Sequence, residues 1–233
     1  MQTGGRRKRE CVLVLKYADY GSLDTLIENH GPFGVEAVSE MSAQLCIDLS
    51  YLHMRRYGHR DLKSENVFVH KNGRLVIGDL GRATQLTNGV GRDEGMPIGN
   101  LAHCSLEREM GESYSYSTDM WAVGGIVLEL TTGKQWEGMV QSYRHLETDQ
   151  PGVLASYNQP EIDIYVVCLT DDMLLGSLVS ACLTLDPKKR LSDRDDGLKD
   201  HFLSSLDIYG IITLSPPLSY SSVTEQSPDM DIC

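Results

Sequence analysis

The sequence is short of paired cysteines, long apolar runs and basic residues. Its 233 residues include six cysteines that show no paired spacing: Cys11, Cys46, Cys104, Cys168, Cys182 and Cys233. We therefore expect a reducing compartment, the cytoplasm with the nucleus as the alternative, rather than a disulfide-bonded secreted protein. No apolar run reaches the roughly 20 residues that span a bilayer, so we expect no membrane partner. The net charge of −12 argues against nucleic acid as a partner.

A basic cluster at residues 6–9, Arg-Arg-Lys-Arg, has two interpretations. One is a nuclear localisation signal, and the other is a solvated loop that leads into the apolar run beginning at Cys11. We favour the loop, because short basic clusters are common on solvated surfaces.

The most informative stretch is 59–66, His-Arg-Asp-Leu-Lys-Ser-Glu-Asn, which is followed thirteen residues after Asn66 by Asp79-Leu80-Gly81. Asp61 is a carboxylate that can take a proton, and Lys63 adds a positive charge beside it. Asn66 and Asp79 offer oxygen ligands suited to Mg²⁺, which takes few protein oxygens and keeps places for water and phosphate oxygens. These groups are typical of phosphoryl transfer, in which a protein mainly positions reactants and stabilises charge.

The spacing of these residues predicts a β-hairpin that brings the two cation ligands together. Two short β-branched runs, 67–69 and 75–77, flank Asn72-Gly73, and an Asn-Gly pair between such runs favours a two-residue turn. Pairing that is symmetric about residues 72 and 73 places Asn66 opposite Asp79. The amide oxygen and the carboxylate would then lie about 5 Å apart at the open end of the hairpin.

These residues resemble the motifs of the eukaryotic protein kinase family, serine/threonine type. Residues 59–66 are similar to the catalytic loop of the family, and residues 79–81 to its metal-binding triplet, with leucine in place of the usual phenylalanine. The resemblance implies that Asp61 accepts or orients the substrate hydroxyl proton and that Lys63 neutralises the γ-phosphate. It implies that Asn66 and Asp79 hold Mg²⁺. It assigns structural roles to His59, Arg60, Leu80 and Gly81. Aminoglycoside and choline phosphotransferases share the aspartate-then-asparagine loop, but generally lack the lysine.

Further marks occur in the order expected of this family. Residues 99–107 resemble the end of an activation segment, and residues 119–124, which begin with Asp119, resemble the start of the buried central helix. By the same resemblance, Arg190 pairs with Glu107. Thr84 and Thr87 are candidate phosphorylation sites within the activation segment, where Arg60 could pair with a phosphate. A single motif could match by chance, but several motifs in the order of the family favour a true resemblance to protein kinases.

A resemblance also covers the start of the chain. Residues 12–18 are similar to the last strand of the small kinase lobe running into the hinge. This implies that Leu15 is the gatekeeper and that the backbone of Lys16, Tyr17 and Ala18 meets adenine. Phe68 stands where many kinases have leucine beneath adenine. We therefore expect ATP and Mg²⁺ as cofactors, a protein substrate, and a regulatory protein as a further partner.

The predicted fold is mainly α, a kinase-like C-terminal lobe with a small β-hairpin at the catalytic loop. Apolar periodicity predicts an amphipathic helix over 38–52 and a buried helix over 121–130, in which Gly124-Gly125 allows close approach and which Gly133 ends. A further helix should run from Met173 until Asp186-Pro187. The expected organisation is a small-lobe remnant and hinge at 1–18, the large lobe at 19–208 with an insertion at 148–170, and a disordered tail at 209–233.

The sequence lacks three groups that kinase catalysis needs: a glycine-rich loop over the phosphates, a strand lysine on the α/β-phosphates, and a helix glutamate that holds this lysine. We therefore expect the small lobe to be absent except for its last strand and hinge. Two hypotheses follow. The chain is a truncated form of an active serine/threonine kinase, or it is a non-catalytic kinase-like binding module. The intact Asp61, Lys63, Asn66 and Asp79 favour the first, and the missing groups favour the second.

Overall fold

The computed structural model describes residues 12–92, 103–135 and 173–192. Five α-helices lie in these residues, and they occur in the chain order α1 Leu23–His30, α2 Val35–Met54, α3 Leu106–Glu109, α4 Ser117–Thr132 and α5 Met173–Cys182. Two short 3₁₀ turns, Ser64–Asn66 and Leu80–Arg82, flank the predicted hairpin. The described part of the chain is therefore mainly helical, as predicted.

The strands are short and pair only in twos. Three antiparallel pairs are present in the described residues: β1 Tyr57–Gly58 with β4 Thr84–Gln85, β2 Val67–Val69 with β3 Leu75–Ile77, and β5 Val90–Gly91 with β6 Tyr114–Ser115. Two-stranded ribbons are marginal alone, so these pairs depend on the helices that they pack against.

Helix α2 carries the core face that its periodicity predicts. Val38, Leu45 and Leu49 are fully buried, and the helix packs against α4 and β3. The amide oxygen of Gln44 accepts a hydrogen bond of 2.8 Å from the Leu75 backbone N–H. The helix thereby holds the second strand of the hairpin through a side chain as well as through apolar contact.

Helix α4 is buried around almost its whole circumference. All of its residues except the last two, Thr131 and Thr132, are buried. A Cβ added at Gly124 would lie 2.8 Å from the Cβ of Cys182, so this glycine allows α4 and α5 to approach closely. Gly133 ends the helix in the left-handed conformation at φ 68°, which glycine adopts without steric cost. The predictions for this helix are confirmed.

The last described helix is shorter than expected. Helix α5 ends at Cys182, before Asp186-Pro187. The Leu191 backbone N–H donates to the Ala181 carbonyl at 2.9 Å, and the Arg190 N–H donates to Asp186 at 3.0 Å. The chain therefore folds back against the helix end, because these loop hydrogen bonds satisfy backbone groups that a longer helix would have used.

The predicted strand at residues 12–18 is wrong. This segment has no regular secondary structure, and Leu15 and Tyr17 are 75% and 81% exposed. A strand needs a neighbour for its backbone groups, and no described strand pairs with this segment. The residues that follow contact the hairpin: Asp19 Oδ2 accepts from the Lys71 N–H at 3.0 Å, and the Tyr20 N–H donates to the Val69 carbonyl at 3.0 Å.

Several sequence predictions fall outside the described residues. They concern the basic cluster at 6–9, the insertion at 148–170 and the tail at 209–233. Among the helices of the described ranges, none is both long and apolar enough to cross a membrane.

Candidate functional site

The hairpin exists, but its turn is one residue longer than predicted. Val67 pairs with Ile77, and the Gly73 N–H donates to the His70 carbonyl at 2.9 Å. Gly73 has φ 77°, which fits a three-residue loop that ends in a left-handed glycine. The symmetry of the pairing therefore places Asn66 opposite Gly78, whose N–H donates to the Asn66 carbonyl at 2.8 Å.

Asp79 consequently lies one residue beyond the hairpin pairing. It adopts the left-handed conformation at φ 50° and ψ 66°, and its Oδ1 accepts a 3.3 Å hydrogen bond from the Gly81 N–H. The carboxylate thus caps the 3₁₀ turn at Leu80–Arg82 and is exposed. The expected direct pairing of Asn66 with Asp79 is wrong, although both residues remain at the open end of the hairpin.

Asn66 is tied to the catalytic-loop residue Asp61. Its Nδ2 donates to the Asp61 backbone carbonyl at 2.7 Å and lies 3.5 Å from Asp61 Oδ2. A carbonyl oxygen only accepts hydrogen bonds, so the amide nitrogen must face it and the Oδ1 oxygen must face away. The amide oxygen is therefore the atom of Asn66 that suits a cation.

The carboxylate of Asp61 is partly exposed and lies near a cation. The Nε atom of Arg82 is 3.8 Å from Asp61 Oδ2, and the Asp61 side chain is 22% exposed. Lys63 forms its ion pair with Glu65, where Nζ and Oε1 are 3.4 Å apart. The structure thus places Arg82 near Asp61, a contact that the sequence analysis did not predict.

His59 and Asp119 form the buried support of the loop. Asp119 accepts 2.8 Å hydrogen bonds from the backbone N–H groups of His59 and Arg60 and from the His53 ring. Burial alone would raise the pKa of Asp119, but the hydrogen bond and charge of His53 and the Arg60 N–H together lower it. The Asp61 N–H donates to His59 Nδ1 at 3.3 Å, so His59 Nε2 carries its hydrogen toward the Gly78 carbonyl, 2.9 Å away.

Arg60 links the loop to the segment that follows the Asp79-Leu80-Gly81 triplet. It has φ 68°, unusual for a side chain larger than glycine. Its Nη1 donates to Thr84 Oγ1 at 2.7 Å, and its guanidinium lies 4.9 Å from the centre of the Tyr114 ring. Burial lowers the pKa of Arg60. Of the two candidate phosphorylation sites, Thr84 is partly buried and bonded to Arg60, whereas Thr87 is exposed.

The predicted pair of Glu107 and Arg190 is present and buried. Arg190 Nη1 and Nη2 lie 2.7 and 2.9 Å from Glu107 Oε1 and Oε2. Thr118 Oγ1 donates to the same carboxylate at 2.9 Å. The remaining guanidinium donor, Arg190 Nε, is bonded to the Thr184 carbonyl at 2.8 Å. Burial raises the pKa of Glu107, but hydrogen bonds and charge from Arg190 outweigh it, and the pKa is lowered.

The structure shows where the residues assigned to the adenine side, and the nearby Leu80, lie. The backbone of Phe68 forms an isolated antiparallel β-bridge with Ser22. The Phe68 ring packs directly on Gly78, where an added Cβ would clash with Cε2 of the ring. Leu80 is 54% exposed. Lys16 is also exposed and Ala18 is half-buried.

The residues present fit Mg²⁺ held together with phosphates. No cluster of three or more metal-ligating side chains occurs in the described ranges. Mg²⁺ does not require one, since it is commonly bound by one or two carboxylates plus substrate phosphates and water. Asp79, with the amide oxygen of Asn66, supplies such a partial ligand set.

A pocket beside Asp61 connects the catalytic loop to the segment before α3. Its lining residues come from three parts of the chain: Arg60, Asp61, Leu62 and Lys63, then His103, Cys104 and Arg108, then Thr118, Asp119 and Ala122. Sequence analysis did not select Arg108. Its only sequence signal is its position directly after Glu107.

Comparison with known proteins agrees with this geometry. The protein kinase domain model matches residues 3–203. Mitogen-activated protein kinase kinase 2 of Arabidopsis thaliana is 31% identical over 212 residues, which cover 85% of this chain and 54% of the relative. Mitogen-activated protein kinase kinase kinase 1 of Homo sapiens is 29% identical over 187 residues, or 78% of this chain and 12% of the relative. The chain thus spans about half or less of the length of these relatives, and it belongs to the protein kinase family.

Proposed function

We propose that this chain transfers the γ-phosphate of ATP to serine or threonine hydroxyls of a protein substrate. The observation that carries the proposal is the double support of Asp61. Its carbonyl accepts from the Asn66 amide at 2.7 Å, and its N–H donates to His59 at 3.3 Å. A carboxylate on a loop fixed from both sides can accept or orient a hydroxyl proton in a defined direction.

The remaining residues have complementary roles in this proposal. Asp79 and the Asn66 amide oxygen would hold Mg²⁺, and the bound ion would supply charge neutralisation for the phosphoryl group. Lys63 turns from Glu65 toward the γ-phosphate, since their 3.4 Å ion pair is partly exposed and weak. The hinge backbone at Lys16 to Ala18 contacts adenine, and phosphorylation of Thr87 is a candidate control because this hydroxyl is exposed.

The names of the relatives suggest a first substrate class. Two of them are named as kinases of other kinases. We therefore propose that the substrate is a protein kinase, recognised at a serine or threonine. Purified mitogen-activated protein kinases are the first substrates to assay, alongside a generic serine-rich protein.

The contrast between Asp61→Asn and Asp79→Asn tests this function. Asp61→Asn should lower kcat on the order of 10²–10⁴-fold while Mg-ATP binding stays near that of the parent chain, because Asp61 acts on the hydroxyl. Asp79→Asn should weaken Mg-ATP binding itself, because a carboxylate ligand is lost. Asp186→Asn, an exposed carboxylate elsewhere, is the matched control. Phosphate transfer is measured with radiolabelled ATP, and binding by titration calorimetry.

A non-catalytic binding module is the second candidate. The Arg82 guanidinium, 3.8 Å from Asp61, favours it, because that cation competes with a substrate hydroxyl for the carboxylate. Under this alternative the parent chain transfers no phosphate to any protein substrate, and both aspartate variants bind Mg-ATP as the parent does. That result would refute the kinase proposal.

A further inference from the structure

The backbone at Asp61 depends on the unusual conformation of the residue before it. Arg60 has φ 68°, a left-handed conformation that a non-glycine residue keeps only where its surroundings hold it. Its N–H is held by Asp119 Oδ1 at 2.8 Å. Rotation of the peptide bond between Arg60 and Asp61 would move the Asp61 carboxylate. The Arg60 carbonyl therefore also has to be fixed.

Arg108 fixes that carbonyl from a distant part of the chain. Its Nη1 donates to the Arg60 backbone oxygen at 2.6 Å, across 48 residues of sequence. The Arg108 side chain is buried, and its guanidinium lies 5.6 Å from the Tyr114 ring. A charge-assisted hydrogen bond of this length is strong and directional.

Tyr114 holds two guanidinium groups close together. Arg60 and Arg108 both contact its ring, and the ring is buried. Two like charges near one another and largely removed from water destabilise a fold unless other interactions offset them. The hydrogen bonds from Arg60 to Thr84 and from Arg108 to the loop carbonyl are two of the interactions that offset this repulsion.

Helix α3 is therefore attached on two sides. Glu107 is bonded to Arg190, and the next residue, Arg108, is bonded to the catalytic loop. A displacement of α3 would therefore reach the peptide bond between Arg60 and Asp61 through the Arg108 side chain.

We propose that Arg108 is a positioning residue for phosphoryl transfer, which sets the orientation of Asp61 by holding the Arg60 carbonyl. This inference rests on the proposed kinase function, since Asp61 is the group that acts on the substrate hydroxyl. It assigns Arg108 no contact with substrate or nucleotide.

Arg108→Met and Arg108→Lys in the 233-residue chain test the proposal. Methionine keeps much of the apolar stem but removes the donor, and kcat should fall on the order of 10²-fold with the KM for Mg-ATP nearly unchanged, because misplacement affects the chemical step. Lysine retains one donor without the planar fork, so its kcat should be intermediate. Arg55→Met is the matched control, because Arg55 also stacks on a tyrosine, Tyr51, but is exposed and outside the site.

Hydrogen exchange at the Asp61 amide supplies a second measurement that needs no activity. Exchange should be faster in Arg108→Met than in the parent, and should match the parent in Arg55→Met. Parent values of both kcat and Asp61 exchange in Arg108→Met would overturn the proposal. If Arg108→Met loses its melting transition, the same two measurements are made on Arg108→Lys. Parent values of kcat and of Asp61 exchange in Arg108→Lys would then overturn the proposal. A parent chain without transfer activity would refute the kinase function, while the exchange comparison alone would still decide the role of Arg108.

Discussion

The Glu107–Arg190 pair and the Asp79–Gly81 triplet lie in the same fold but in opposite environments. Glu107 and Arg190 are buried, and both carboxylate oxygens of Glu107 and all three guanidinium nitrogens of Arg190 form hydrogen bonds. Asp79 and Leu80 are exposed, and the carboxylate makes one 3.3 Å hydrogen bond within its own turn. The buried pair is complete without a ligand, whereas the triplet has accessible oxygens. The difference indicates that the buried pair contributes to the stability of the fold, whereas the exposed triplet is free to contact a ligand.

The energetics of the two regions differ accordingly. Burying an ion pair is costly because both charges lose water, and only full hydrogen bonding offsets that loss. Removing one partner therefore leaves a buried charge uncompensated. An exposed carboxylate keeps its water, so substitutions there change ligand binding much more than folding.

The largest effect on stability is expected from breaking the buried pair. Arg190→Ala should lower the free energy of unfolding by about 3–5 kcal/mol, since Glu107 is left without its partner. Urea unfolding followed by circular dichroism measures this. Lys189→Ala is the control, because its pair with Asp186 is exposed and should contribute within about 0.5 kcal/mol. Equal midpoints for both variants would contradict the contrast.

Two leucines provide a matched test of the same comparison. Leu62 is 2% exposed in the catalytic loop, and Leu80 is 54% exposed in the triplet. Leu62→Ala should cost about 2–5 kcal/mol because a cavity forms in the core. Leu80→Ala should change stability by about 0.5 kcal/mol or less. Thermal melts of the two variants side by side measure this, and a larger loss in Leu80→Ala would show that the exposed triplet is packed after all.

The close approach of α4 and α5 should tolerate no added methyl group. Gly124→Ala would place a Cβ 2.8 Å from that of Cys182 and 2.9 Å from Leu183 Cγ. Overpacking of this kind typically costs about 1–3 kcal/mol. Gly34→Ala, whose Cβ would meet nothing nearer than 3.7 Å, is the control. Chemical denaturation of both variants tests the prediction, which fails if Gly124→Ala is as stable as the parent.

Acid should weaken the buried pair in a defined direction. The pKa of Glu107 in the folded chain is lower than its ordinary value of 4.5, so the unfolded chain binds this proton first as the pH falls. The stabilisation is present above the unfolded pKa and is lost as the pH falls through the folded pKa. Glu107→Gln should therefore show a smaller loss of stability between neutral pH and pH 3 than the parent. Urea midpoints across this range measure the slopes, and identical slopes would contradict the assignment.

The local features of the chain were largely predictable. The spacing of Val38, Leu45 and Leu49 predicts α2. The apolar residues on all sides of the helix at 121–130 predict that it is buried, and Gly124 predicts its close contacts. Motif order predicted the contact between Glu107 and Arg190, which is confirmed. The catalytic roles of the site residues stay predictions, because geometry without ligands does not test them.

Two of the predictions that the structure corrects, the hairpin register and the first strand, have physical causes. The hairpin register depends on whether the turn has two or three residues, and Asn-Gly is compatible with both. Residues 12–17 have strand-like composition, but a strand forms only against a partner.

By itself, the sequence identified the candidate residues for phosphoryl transfer and determined where the principal helices lie, because both depend on neighbours within a few positions. The tertiary structure alone decided how Asp61 is held. Asp119 reaches the loop across 60 residues and Arg108 across 48, and Arg82 approaches Asp61 from beyond the hairpin. Such contacts depend on how separate elements pack, which periodicity and motif spacing do not encode.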